Sequence, residues 1–308
     1  MNICLIDCGL FVEDDHLLDP LRGVGEVSVY TGVPETAEEV LRRAKDAEVI
    51  AFALMQFSNE MLDALPKLKI LQFVGSGASN FVDMEYAASK GIQVLNIRGY
   101  ANNAVAEYAL SLGLSLVRHV VQGNRVFLSG SWDQSGLNGF EIAGSTVGIL
   151  GTGGIGYLVA EKFQALGAQV LACDLYPQDS LKEKGVQYVE MEDLFARADL
   201  VSIHMTVLPE TEGIVTRSLL ESMKPSALFV NVSRAELVDT QALYDLLEAG
   251  KLGGAALDVF NHEPPAGIDL KLAALPTVIA TPHIGFYTDQ ANTNSIVLSV
   301  SSIVEALK

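Results

Sequence analysis

Short apolar runs of strand length, separated by segments of helix length, recur along almost the whole chain, and this alternation most narrows the folds open to it. In the first part the runs fall at residues 3–6, 27–30, 49–52, 70–74 and 93–95, with helical patterns such as 36–45 between them. They are continuous rather than alternating in hydrophobicity, so the strands they predict are buried on both faces, as in a parallel sheet covered by helices. A second series follows at 147–150, 170–173, 200–203, 228–232, 255–257 and 278–280. Between the two, residues 103–128 read as one long helix despite Gly113 and Gly123, and the domain crossing is placed at its start. Residues 289–308 read as a helix with no strand after it, expected to pack back on the first domain. The fold class is therefore α/β, with two doubly wound parallel-sheet domains.

A length of 308 residues suits two such domains with a cleft, and 49% hydrophobic with 19% charged residues suits compact cores. The net charge of −18, with no Lys/Arg-rich block, would repel phosphate backbones and anionic bilayers, so neither nucleic acid nor membrane is an expected partner. Cys4, Cys8 and Cys173 have no metal-type or CxxC spacing and read as reduced core residues; no metal is expected. The chain enters a strand pattern at once, without a basic leader, and no apolar run approaches spanning length, which predicts a cytoplasmic protein.

The chemistry begins at Gly151-Thr152-Gly153-Gly154-Ile155-Gly156, a GxGxxG that ends one predicted strand and opens a helix. In that context Gly151 permits the tight turn, Gly153 lets a pyrophosphate approach the backbone, and Gly156 allows close helix packing; Gly154 and Ile155 offer N–H groups at the positive helix end. Asp174 ends the next strand at the spacing expected of a carboxylate that binds an adenosine ribose. It would repel a 2′-phosphate, and Leu175, Tyr176 and Pro177 bring no arginine, so NAD is favoured over NADP.

In open α/β sheets ligands bind outside the carboxyl ends of the strands. Gly151, Asp174, His204, Arg234, Asp258 and His283 all sit at or just beyond such ends. Arg234 has the planar donor fork that suits a substrate carboxylate and can polarise a neighbouring carbonyl. His283 belongs to the residue type that exchanges protons near neutrality, and Glu263 is a carboxylate able to stabilise its imidazolium. Each alone would more often be a solvated loop residue or a structural partner; their convergence on one sheet edge argues for a site.

The ordered set Gly151-x-Gly153-x-x-Gly156 with Asp174, Asn231-Val232-Ser233-Arg234-Ala235-Glu236-Leu237-Val238-Asp239, Ala256-Leu257-Asp258-Val259-Phe260 leading to Glu263-Pro264, and Thr281-Pro282-His283-Ile284-Gly285 resembles the D-isomer-specific 2-hydroxyacid dehydrogenases over nearly the whole chain. The resemblance implies a flavodoxin-like substrate domain of residues 1–101 and 286–308 and a Rossmann NAD-binding domain of residues 102–285. It implies Arg234 as carboxylate and carbonyl binder, His283 as acid/base, Glu263 as its orienting partner, and Asp258 beside the nicotinamide carboxamide, with His204 on the cofactor side. It further implies that Val74-Gly75-Ser76-Gly77 presents N–H groups of Ser76 and Gly77 to the substrate carboxylate, and that the protein is a homodimer through its coenzyme domains. Relatives often carry Val-Pro-Leu where this chain has Met205-Thr206-Val207, and Arg-Gly where it has Arg234-Ala235, which bears on local shape near the nicotinamide. The chain ends at Lys308, so the regulatory extension of some phosphoglycerate dehydrogenases is not expected.

The resulting expectation is an NAD-dependent oxidoreductase moving a hydride to or from the alpha carbon of a small 2-oxo or 2-hydroxy acid. The loop Ala53-Leu54-Met55-Gln56-Phe57 is a side-chain pocket on family grounds and carries no Arg or Lys, which favours non-phosphorylated substrates such as glyoxylate or hydroxypyruvate. Two alternatives stay open at this level: an NADH-sensing interaction protein on the same fold, and a phosphite-type dehydrogenase. Glu263 argues against formate oxidation, since relatives with that activity usually carry an amide there.

Overall fold

Every strand pair in the chain is parallel, as the doubly buried runs predict. The computed structural model describes residues 1–308 and divides into two compact units, residues 1–101 with 287–308, and residues 102–286. The second crossing lies one residue beyond the expected one, after Phe286 rather than Gly285.

The first unit is built on β1 (Asn2–Leu5), β2 (Glu26–Val29), β3 (Val49–Phe52), β4 (Ile70–Phe73) and β5 (Gln93–Leu95), in the order β2-β1-β3-β4-β5. This is the flavodoxin-like order, in which the winding reverses between β1 and β3. Successive side chains of a strand face opposite sides. Cys4, Ile50, Phe52 and Leu71 accordingly meet Val40, Ala44 and Leu62 on one face. On the other, Ile3, Leu5, Val49 and Ile70 meet Ile296, Val300 and Ile303 of the final helix, Asp289–Ala306. That helix starts where Thr288 accepts a hydrogen bond from Ala291 N–H, and it completes the first unit as expected.

The second unit carries β6 (Thr146–Leu150), β7 (Gln169–Cys173), β8 (Gln187–Tyr188), β9 (Leu200–Ile203), β10 (Leu228–Asn231), β11 (Gly254–Leu257) and β12 (Val278–Ala280). Their order, β12-β11-β10-β9-β6-β7-β8, is the dinucleotide-binding arrangement extended by one strand, with its reversal between β6 and β9. The edge strand β8 is absent from the sequence reading because it is two residues long and half polar.

The expected single helix over 103–128 is two helices, Asn102–Val117 and Val120–Leu128, bent by 59°. His119, at the break, has φ 51, a left-handed conformation that ends an α-helix. The reason is a change of environment: the first helix buries Ala106, Ala109, Leu112, Leu116 and Val117, whereas the second buries nothing. Gly113 lets the first helix lie close to the sheet, since a Cβ there would stand 3.0 Å from Phe163 and 3.2 Å from Leu200. No single helix is long and apolar enough to cross a membrane.

Candidate active site

The glycine turn after β6 has the open donors that a pyrophosphate needs. The helix Gly154–Ala165 begins without a side-chain cap, and no acceptor in the protein takes the N–H groups of Gly154 and Ile155. Gly151 has φ 90, and a Cβ there would stand 2.6 Å from the His204 carbonyl oxygen. Nothing lies within 4 Å of a Cβ on Gly153, whereas one on Gly156 would meet the Gly151 carbonyl oxygen at 1.9 Å. Gly153 thus leaves free space on the ligand side and Gly156 closes the turn against itself. Gly154 abuts the side chain of Asn102. Asp174 faces the same turn, accepting from Thr152 N–H at 2.5 Å, the Thr152 hydroxyl at 3.1 Å and Tyr176 N–H at 2.8 Å. Tyr188 of β8 donates to the Thr152 hydroxyl at 2.9 Å, so the overlooked edge strand braces the carboxylate. This donor set fits a dinucleotide: unpaired N–H groups, a gap that any side chain would fill, and a carboxylate beside them.

His204 is placed differently from its expected role. Its Nε2 pairs with Ser202 Oγ at 2.8 Å and its Nδ1 is buried without a partner, so neither ring nitrogen is open to a cofactor. Burial lowers its pKa to about 3 and keeps the ring neutral. What it offers the glycine turn is packing, through its backbone carbonyl and Cβ. The departure at Met205-Thr206-Val207 leads into a loop closed on itself, where Thr211 Oγ donates to the Thr206 carbonyl at 2.8 Å.

Arg234 follows β10 on a braced corner. The buried Asn231 side chain donates to the Arg234 carbonyl at 2.8 Å and accepts from Ser233 N–H at 2.9 Å, while Ser233 Oγ donates to the Ile203 carbonyl at the end of β9. The guanidinium donates to the Ser233 carbonyl at 2.7 Å, which leaves most of its fork available.

His283 Nδ1 lies 2.8 Å from Glu263 Oε2, so that nitrogen carries the proton toward the carboxylate and Nε2 is free to exchange one. Burial works to raise the Glu263 pKa, but the hydrogen bond and charge of His283, Phe260 N–H and the Arg234 guanidinium outweigh it and hold the carboxyl below its ordinary value. Arg234, Glu263 and His283 are thereby electrostatically one group.

Asp258 is buried and bound to the histidine loop. Its Oδ1 accepts from Thr281 Oγ at 2.7 Å and Ile284 N–H at 3.0 Å, and its Oδ2 accepts from Gly285 N–H at 2.7 Å. These bonds clamp the chain on both sides of His283, which sits at φ 53, a conformation rare for a residue with a Cβ. Asp258 thus holds the histidine loop.

Against this geometry the comparisons are specific. The family pattern described as the D-isomer specific 2-hydroxyacid dehydrogenase NAD binding domain matches residues 110–285. A hydroxypyruvate reductase of Blautia hydrogenotrophica is 33% identical over 97% of both chains. The chain belongs to the D-isomer specific 2-hydroxyacid dehydrogenases. Among them, the D-3-phosphoglycerate dehydrogenase of Methanocaldococcus jannaschii is 35% identical over 94% of this chain but 55% of its own length, so the chain spans about half of that relative. The structure described as a D-lactate dehydrogenase from Treponema pallidum superposes with a TM-score of 0.86 at 30% identity, covering 100% of this chain and 97% of that one.

This member of the family shows features that sequence reasoning missed. Tyr108, on Asn102–Val117, shares a hydrogen bond with Thr281, and burial pushes its phenol pKa up. A Cβ on Gly285 would stand 3.2 Å from the Tyr108 ring, so the long helix also supports the histidine loop. Buried Asp269 ties down the preceding turn, accepting from Asn261 Nδ2 and His262 N–H at 3.0 Å. In the first unit, the N–H groups of Ser76 and Gly77 donate to no acceptor within the protein, while the Ser76 carbonyl is held by Asn96 at 3.1 Å. The loop 53–57 is fixed by Asp7, which follows β1 and accepts from the N–H groups of Ala53, Leu54 and Met55.

Proposed function

We propose that this dehydrogenase interconverts a small non-phosphorylated 2-oxo acid, of the glyoxylate or hydroxypyruvate type, and the D-2-hydroxy acid, using NAD(H). The observation that carries the reading is the His283–Glu263 pair at 2.8 Å with Arg234 beside it. A bound nicotinamide cofactor supplies or accepts the hydride at the alpha carbon. Arg234 binds the substrate carboxylate through its fork and polarises the 2-oxo group. His283, held by Glu263 through Nδ1, gives a proton from Nε2 to the oxygen that becomes the hydroxyl, and takes it back in oxidation. Ser76 and Gly77 supply further N–H donors to the carboxylate. Gly151, Gly153, Gly154, Ile155, Gly156 and Asp174 hold the cofactor, and the Asp174 carboxylate disfavours a 2′-phosphate.

The relatives' names include hydroxypyruvate reductase and glycerate dehydrogenase, which agrees with a small substrate. A homodimer is supported by the apolar surface around Val120–Leu128, where Val120 is 57%, Phe127 63%, Leu128 74% and Trp132 81% exposed. A cytoplasmic setting agrees with three free cysteines.

The test is oxidation of NADH and of NADPH with glyoxylate, hydroxypyruvate, phosphohydroxypyruvate, pyruvate and phenylpyruvate, using Arg234→Ala and His283→Ala as controls. Turnover with NADH that falls roughly a hundred- to ten-thousand-fold in His283→Ala supports the reading. Tight NADH binding without turnover on any of these acids overturns it.

A further inference from the structure

Glu263 and His283 come together from two separate turns, and each turn is bonded to a buried aspartate. The clamp of Asp258 on Thr281, Ile284 and Gly285 holds the histidine turn. The glutamate turn, residues 259–265, makes no hydrogen bond from backbone to backbone. Within it, Glu263 Oε1 accepts from Phe260 N–H at 3.2 Å, which closes the turn on itself without fixing it to the rest of the unit. A catalytic pair set to 2.8 Å therefore depends on side chains to hold one of its members in place.

Asp269 meets that need. It is 1% exposed, in the first turn of the short helix Gly267–Ala273, whose N-cap, Ala266, has no side-chain acceptor to offer. Its carboxylate nonetheless turns away from the helix end. Oδ1 accepts from Asn261 Nδ2 at 3.0 Å, and Oδ2 accepts from His262 N–H at 3.0 Å and lies 3.1 Å from His262 Nδ1. The Asn261 amide also donates to Thr240 Oγ at 2.9 Å, and Thr240 opens the helix Thr240–Glu248 that follows the Arg234 corner. The two residues directly before Glu263 are thus tied to two helices. Burying a carboxylate is costly unless its hydrogen bonds are complete, so the bonds to Asn261 and His262 resist being given up.

We propose that Asp269, acting through Asn261 and His262, is a positioning residue for Glu263: it fixes the turn 259–265 so that the glutamate carboxylate stays on His283 Nδ1. This rests on the function proposed above. Asp269 bonds to no group that takes part in the reaction, and a defect there should be felt only through the glutamate.

The experiment measures NADH oxidation with glyoxylate and hydroxypyruvate by wild type, Asp269→Asn and Asn261→Ala, each made also in a Glu263→Ala background. Expected is a fall in kcat on the order of tenfold in either variant, the scale of one lost charge-assisted hydrogen bond. The NADH Kd, by fluorescence titration, should be unchanged, because no hydrogen bond joins this turn to residues 151–156. In the Glu263→Ala background the same substitutions should cost less than about twofold, since the group they position is gone. Losses of equal size in both backgrounds, or a loss that follows the NADH Kd, would mark general structural support and overturn the inference. Asn261 is exposed, so Asn261→Ala decides if Asp269→Asn does not fold. The His283 Nδ1–H proton resonance reports the bond to Glu263 without turnover, and it should shift or broaden in both variants; an unmoved resonance overturns the inference. Absence of turnover in wild type on any acid overturns the proposed function instead, and this resonance then decides the role of Asp269.

Discussion

His204 gives the chain an acid sensitivity that can be worked out in advance. Its imidazole titrates at about 3 in the folded protein, against an ordinary 6.5. Between those values the unfolded chain binds a proton that the folded chain refuses, so stability falls as pH drops below about 6.5 and stops falling near 3. Linkage over that interval gives a loss of about 2 kcal/mol between pH 7 and pH 5 from this one ring. For a unit of this size the loss amounts to a lowering of Tm by roughly 4–8 °C. His204→Gln removes the titration while leaving a polar group for Ser202 Oγ, which holds Nε2 at 2.8 Å in the wild type. Urea unfolding of wild type and variant at pH 7, 6 and 5 isolates the effect, because every other titrating group cancels in the difference of slopes. The wild type should lose about 2 kcal/mol more than the variant. Parallel slopes, or a His204 carbon resonance that titrates above pH 5, would refute the reasoning.

Other outcomes follow from the same geometry. Glu263→Gln removes the carboxylate that His283 Nδ1 donates to at 2.8 Å, so turnover should drop at least about tenfold; wild-type turnover counts against the pair. Because the Glu263 pKa is lowered in the fold, the stability it contributes is present above the ordinary value of 4.5 and is lost only as pH falls through the lowered value, which pH-jump unfolding measures. Gly156→Ala places a methyl 1.9 Å from the Gly151 carbonyl oxygen, and the NADH Kd should rise about ten- to a hundredfold by fluorescence titration; wild-type affinity would show the turn to be compliant. Leu128→Glu with Trp132→Glu should yield a monomer by light scattering if the exposed surface after His119 joins two copies; an unchanged mass removes that surface from the interface.

Periodicity made the two parallel sheets legible because their inner strands are buried on both faces, and a continuous apolar run survives any detail of packing. The cluster of Arg234, Glu263 and His283 was legible because strand ends in such sheets converge by topology. The bend at His119 was not, since both helices are apolar enough to read as one and only the loss of a neighbour after Val117 separates them. β8 escaped because two half-polar residues carry no period. The hydrogen-bond partners of His204 and Asp258 were not legible, because which way a side chain turns depends on partners distant in sequence, such as the clamp from Asp258 to residues 281–285. Asp7 was within reach of the same strand-end rule, because an acidic residue directly after a buried apolar strand is costly there without a purpose.

The first unit is discontinuous, and this sets an order on synthesis. Ile296, Val300 and Ile303 fill one face of a sheet whose strands precede them by about two hundred residues, so that face stays uncovered until the helix Asp289–Ala306 has been added. The second unit, continuous in sequence, can close its core earlier. During synthesis the sheet of residues 2–95 therefore waits, one face open to wrong partners, while the whole of the second unit is made.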